Sequence, residues 1–129
     1  MTNDQMQTIL ALDFGTKRVG LAISHGIVAS AVGSIIYNPS EKESFFEQLR
    51  QIVIDQKAEK IIIGLPLSDG NPTRQSEVSS KIGQEISDNL KIAVEFVDES
   101  FTSVEAKENY AKDIDAESAR IILERYLPR

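Results

Sequence analysis

The sequence predicts an α/β fold, a mixed five-stranded sheet flanked by helices in the order β-β-β-α-β-α-β-α-α. Three observations lead there. Three runs rich in Ile, Leu, Val and Ala crowd the first 37 residues; only four residues separate the first two; and after residue 40 short apolar runs alternate with segments of helical spacing. A meander followed by alternating strands and helices gives antiparallel strands first, then parallel strands joined by right-handed crossovers.

Residues 7–13 and 18–24 read as a hairpin around Gly15, and residues 28–37 as a third strand. Ser40 and Glu43 fit a capping box with Ser40 as N-cap, and Phe46, Leu49, Ile52 and Val53 follow at helical spacing to about residue 57. The run KIIIG, residues 60–64, suits a buried strand and stops at Gly64-Leu65-Pro66. Asn71-Pro72 offers an N-cap and a first-turn proline to a helix whose Val78, Ile82, Ile86 and Leu90 recur every four residues. Residues 92–97 read as the fifth strand. Thr102 to Glu105 form another capping box, for a short helix to about residue 111. The last helix starts near Asp115, with Ala116, Ala119, Ile122, Leu123, Tyr126 and Leu127 on one face.

At 129 residues the chain has the size of one domain, spanning 1–129, and shows no internal repeat, low-complexity segment or linker. It has no cysteine and one histidine, which excludes disulfides, thiolate metal sites and multi-His zinc sites. Any metal here is held by oxygen. No apolar run approaches the roughly 20 residues of a membrane span, and the opening MTNDQMQT lacks the basic and apolar parts of a signal peptide, so the expected location is the cytoplasm. Fourteen Lys and Arg against 20 Asp and Glu give a net charge of −6. On average that opposes a polyanionic partner, although a bound divalent ion inverts the sign of a carboxylate cluster locally.

Carboxylates stand out at three places. Asp13 ends the first strand, Asp98-Glu99 ends the fifth, and Asp115 begins the last helix. If the first and fifth strands are parallel, their C-terminal ends share one sheet edge, where open α/β sheets place their sites. Convergent carboxylates would suit Mg²⁺ or Mn²⁺, one or two ions, and metal-assisted phosphodiester hydrolysis, a chemistry that needs no Cys, His or Ser nucleophile. Each residue also has a local explanation: Asp13 as a turn former, Asp98-Glu99 as a solvated pair, Asp115 as a helix N-cap. Gly15 and Thr16 supply a turn whose backbone N–H groups can approach a phosphate, with Lys17 and Arg18 beside it and Arg74 in the first turn of the second helix. His25 is given no role.

These residues carry a resemblance. The segment ALDFGTKRVGLAIS resembles the opening D-x-G-x-K-R-[IV]-G-[VL]-A-[VI]-S of the YqgF family of Holliday-junction-resolvase-like proteins; IIIGLPLSDG is similar to its G-L-P-L segment, VDESFTSVEA to its D-E-R-x-T-T-x-E-A, and DAESARIILERYL to its final D-x-x-A-A-x-x-I-L helix. The match spans nearly the whole chain. It implies an RNase H-like fold and a metal-dependent nuclease of the class described for pre-16S rRNA 5′-end processing in bacterial ribosome biogenesis. Carried over by position, the family's acidic site falls on Asp13, on the Asp98-Glu99 pair and on Asp115, with metal ligands expected at Asp13, Glu99 and Asp115. The chain departs from the pattern at Ser100, where the family has Arg, at Ser118, where it has Ala, at His25, where Asp is common, and by one residue fewer after Gly64.

The leading expectation is a Mg²⁺- or Mn²⁺-dependent nuclease on precursor rRNA, with branched DNA as the alternative substrate and a homodimer as one way to unite two sites on a two-fold symmetric substrate. A protein that docks on RNA or a ribosome-assembly partner without cutting is the second class, favoured by the acidic total and Ser100. A nucleotide-dependent phosphotransferase is the third: Asp-Phe-Gly-Thr and its hairpin are similar to the first phosphate loop of the actin, Hsp70 and sugar-kinase superfamily. Those proteins close a second comparable domain over ATP, and 129 residues hold only one.

Overall fold

A computed structural model describes residues 7–15, 17–65, 73–98 and 114–127. The strands are β1 (Ile9–Phe14), β2 (Arg18–Ser24), β3 (Ser30–Ile36), β4 (Lys60–Leu65) and β5 (Ala93–Asp98); the helices are α1 (Lys42–Gln56), α2 (Arg74–Leu90) and α3 (Ile114–Tyr126). The helix expected over 102–111 lies outside the described residues, as do Asn71-Pro72.

Chain connectivity explains the sheet order β3-β2-β1-β4-β5. The short links between β1, β2 and β3 permit only antiparallel neighbours, and both pairs are antiparallel. The chain then crosses through α1 to β4, which pairs parallel to β1, and through α2 to β5, which pairs parallel to β4. Consequently β1, β4 and β5 end at the same edge. β1 and β4 are central and buried, which is why both read as near-continuous apolar runs.

Alternation along the strands divides the core in two. On one face Leu10, Leu12, Phe14, Ile61 and Ile63 pack with Phe45, Phe46 and Leu49 of α1 and with Ile82 and Ile86 of α2. On the other, Ile9, Ala11, Ala22 and Ile62 pack against Ala119, Ile122, Leu123 and Leu127 at α3. The small residues Ala11, Ala22 and Ala119 let that helix lie close to the sheet.

Helix starts depart from the capping residues read in the sequence. Asn38, not Ser40, forms the first cap: its Oδ1 accepts from Ser40 N–H at 3.0 Å and opens a 3₁₀ turn over Pro39–Glu41. Helix α1 begins only at Lys42, with no side-chain cap. Helix α2 is capped by Thr73, whose Oγ1 accepts from Ser76 N–H at 3.1 Å while Ser76 Oγ accepts from Thr73 N–H at 2.7 Å. Asp115 sits inside the first turn of α3, one residue past its start, and is not its N-cap.

Candidate active site

Asp13 is the penultimate residue of β1, 5% exposed, and shares the α3 face with Ile9 and Ala11. The next residue, Phe14, points the other way into an aromatic cluster with Tyr37 and Phe45, ring centroids 6.1 Å away in each case. Anchoring on both faces gives the end of β1, and so the Asp13 carboxylate, a defined orientation.

The cross-strand partner of Asp13 is Gly20 of β2, whose Cα lies about 5 Å away in such a pair. The first turn of α3 rests directly on that glycine. A Cβ at position 20 would fall 1.9 Å from the Asp115 carbonyl oxygen and 2.7 Å from the Ala116 nitrogen. Helix backbone therefore meets strand backbone there. The Asp115 side chain continues toward the hairpin: a Cβ at Gly15 would lie 2.7 Å from Asp115 Oδ1. The fold thus brings Asp13 and Asp115, more than 100 residues apart in sequence, to the same end of the β1–β2 hairpin.

That hairpin is closed by Gly15 N–H donating to the Arg18 carbonyl at 2.7 Å, and tied to β3 by Tyr37 N–H donating to the Lys17 carbonyl at 3.0 Å. Lys17 and Arg18 are exposed on the turn beside the carboxylates; Thr16 lies outside the described residues. Arg74, also exposed, opens α2, the helix that departs from the same side of the sheet as the C-terminal end of β4.

Strand register separates Asp98 from this pair. Val97 packs on the α3 side, whereas Phe96 meets the position of Gly83 in α2, and Asp98 shares the parity of Phe96. Asp98 is exposed at the end of β5 on the opposite face from Asp13. Glu99 lies outside the described residues. Among the described residues no three His, Cys, Asp or Glu side chains form a metal-holding group. Asp13, buried, and Asp115, half-buried, share this hairpin end and offer the oxygen donors, one or two carboxylates, that Mg²⁺ or Mn²⁺ takes when water and substrate phosphate complete the coordination. Those residues fit such an ion.

His25 stands at the far end of β2, its Nδ1 3.2 Å from Thr8 Oγ1, remote from the carboxylates. The residue that the candidate set lacks is Gly20. An isolated glycine inside a strand pattern signals a bulge or a close backbone approach, and here it is the approach of α3.

A family model described as RuvX, Holliday junction resolvase, matches residues 7–129. A protein of Paraburkholderia xenovorans named "Putative pre-16S rRNA nuclease" is 32% identical over 127 residues, covering 93% of this chain and 87% of its own. Among solved structures, Thermus thermophilus RuvC in complex with a Holliday junction substrate superposes with a TM-score of 0.59 at 13% identity, covering 93% of this chain and 94% of that one. YeaZ from Pseudomonas aeruginosa gives a TM-score of 0.51 at 15% identity over 83% of this chain and 50% of its own. These structural likenesses identify the fold as RNase H-like.

Proposed function

The chain belongs to the RuvX family of Holliday junction resolvases, and from that premise we propose a metal-dependent nuclease that hydrolyses phosphodiester bonds in precursor 16S rRNA. The observation that carries the reading is that the first turn of α3, with Asp115, lies on Gly15 and Gly20, while Asp13 is the cross-strand partner of Gly20, at the edge where β1, β4 and β5 end. The rRNA substrate rests on the name borne by the curated relatives, and branched DNA is the alternative suggested by the family description.

In this reading Asp13 and Asp115 hold Mg²⁺ or Mn²⁺. Glu99 is the third proposed ligand, preferred over Asp98 because Asp98 belongs to the other face. A bound ion of this kind supplies an activated water and polarises the phosphoryl oxygen. Lys17 and Arg18 contact the phosphate backbone from the turn, with Arg74 reaching from the start of α2; the Gly15 N–H is taken by the Arg18 carbonyl and is not offered to the phosphate. Burial of Asp13 fixes its carboxylate before substrate arrives, so no ordering cost falls on the reacting complex. The site's cations also answer the charge objection: a net charge of −6 describes the whole surface, and Lys17 and Arg18 lie where the phosphates would run.

The test is cleavage. Purified wild type and Asp13→Asn are incubated with a precursor 16S rRNA fragment or a four-way DNA junction, with Mg²⁺, Mn²⁺ or chelator. Metal-dependent cutting of the RNA by the wild type alone supports the proposal. Retained cutting by Asp13→Asn removes Asp13 from the site, and binding without cutting by both proteins replaces the enzyme with an RNA-docking protein.

A further inference from the structure

Glycine in a tight turn ordinarily reflects a backbone conformation that other residues avoid. Gly33, inside β3, takes such a conformation at φ 142°; Gly15 does not, its φ lying outside the positive region. The φ at position 15 is one alanine can adopt. What it would not fit is the neighbour: the added Cβ would stand 2.7 Å from Asp115 Oδ1 and 3.3 Å from its Cγ, with the Arg18 carbonyl at 3.2 Å.

We infer that Gly15 is a positioning residue for the Asp115 carboxylate, glycine because that carboxylate occupies the space where a side chain would begin. The contact exists whatever the protein does; its consequence for metal binding rests on the proposed function. Two constraints act on Asp115 together. Its main chain is pressed on Gly20, so α3 has no room to approach the sheet more closely, and its carboxylate lies against Gly15 beside the end of β1. A methyl at position 15 has to push Oδ1 from 2.7 Å to an ordinary separation of 3.4 Å. The flexible part is the carboxylate, which must rotate away. Gly15 therefore acts as a gauge that sets where one of the two carboxylates of the pair stands.

A double-mutant cycle tests this without relying on cleavage. Wild type, Gly15→Ala, Asp115→Ala and the double variant are compared by thermal unfolding and by Mn²⁺ titration in the absence of nucleic acid. We expect Gly15→Ala to lower Tm by about 3–5 °C and to weaken Mn²⁺ binding about tenfold. In the Asp115→Ala background the same change costs clearly less Tm, because the obstructed carboxylate is gone and only the Arg18 carbonyl at 3.2 Å is left to give. An equal loss of Tm in both backgrounds means that Gly15 serves the turn, and overturns the inference. If Gly15→Ala fails to fold, recovery of folding in the double variant supports the inference and failure of both overturns it. Unchanged Mn²⁺ affinity in Asp115→Ala removes the metal reading, while the Tm cycle still decides the role of Gly15.

Discussion

Gly20→Ala tests the seat on which the whole pair depends. The new Cβ would fall 1.9 Å from the Asp115 carbonyl oxygen, 2.1 Å from its carbonyl carbon and 2.7 Å from the Ala116 nitrogen. All three are main-chain atoms of α3, so no side-chain rotation relieves the overlap. The helix start must rise by about 1.5 Å to reach ordinary contact. Further along, Ala119, Ile122, Leu123 and Leu127 hold α3 down, so the rise has to be taken as a tilt that opens space beneath its first turn. Overpacking of a core typically costs about 1–3 kcal/mol, and backbone-on-backbone overlap belongs at the upper end, so we expect a loss of about 3 kcal/mol. A misplacement of about 1 Å at a reacting group costs on the order of 100-fold in rate, and Asp115 moves with the helix. Urea unfolding followed by circular dichroism, paired with the cleavage assay, measures both. Ala22→Gly is the control: it lies on the same face, its methyl is already accommodated, and its loss should cost only about 1 kcal/mol. Stability within about 0.5 kcal/mol of wild type and full cleavage in Gly20→Ala would refute the placement of α3 on β2.

Three further outcomes follow from other contacts. Ser118 of α3 is fully buried and its Oγ has no hydrogen-bond partner among the described residues, so Ser118→Ala should raise stability by about 1 kcal/mol in the same unfolding assay. Lys60, hydrogen-bonded to Glu95 at 2.7 Å, and then the Tyr126 hydroxyl hold the Glu95 carboxyl below the usual carboxylate range. Its stabilisation is complete above the unfolded carboxylate pKa, roughly 4.3, and disappears as pH falls through the lowered folded value; the Tm difference between wild type and Glu95→Gln should therefore be present at neutral pH and close on acidification below about pH 4. Changing Lys17 and Arg18 to Ala should weaken RNA binding at low salt and reduce the slope of log affinity against log salt by roughly 0.7–0.9 per residue, as measured by filter binding or fluorescence anisotropy.

The order of the described elements and the antiparallel or parallel sense of their pairing were legible because alternation, buried apolar runs and link lengths are local signals that agree with one another. The β1–β2 hairpin and the parallel β1-β4-β5 edge both follow from them. Capping residues were less legible, since Asn38 and Ser40, or Asn71 and Thr73, compete within a few residues and the choice depends on how the preceding chain enters the helix. Asp98 shows how sharply a strand boundary matters. Side chains alternate with period two, so the face of a terminal carboxylate follows from register and not from composition, and register put Asp98 on the α2 side. Asp13 and Asp115 were nameable as candidates from type and position, but their placement at one hairpin end is a tertiary event that Gly15 and Gly20 leave room for. Gly20 carried a readable signal as a lone glycine within an apolar strand; the partner that filled its space did not.

If Asp13 and Asp115 act as one pair, diffraction from crystals of the chain soaked in Mn²⁺ shows it directly. We expect an anomalous peak within ligand distance, about 2.1–2.2 Å, of carboxylate oxygens from both residues, and its loss in Asp13→Asn. A peak elsewhere on the protein, or carboxylates of Asp13 and Asp115 facing apart, would contradict it.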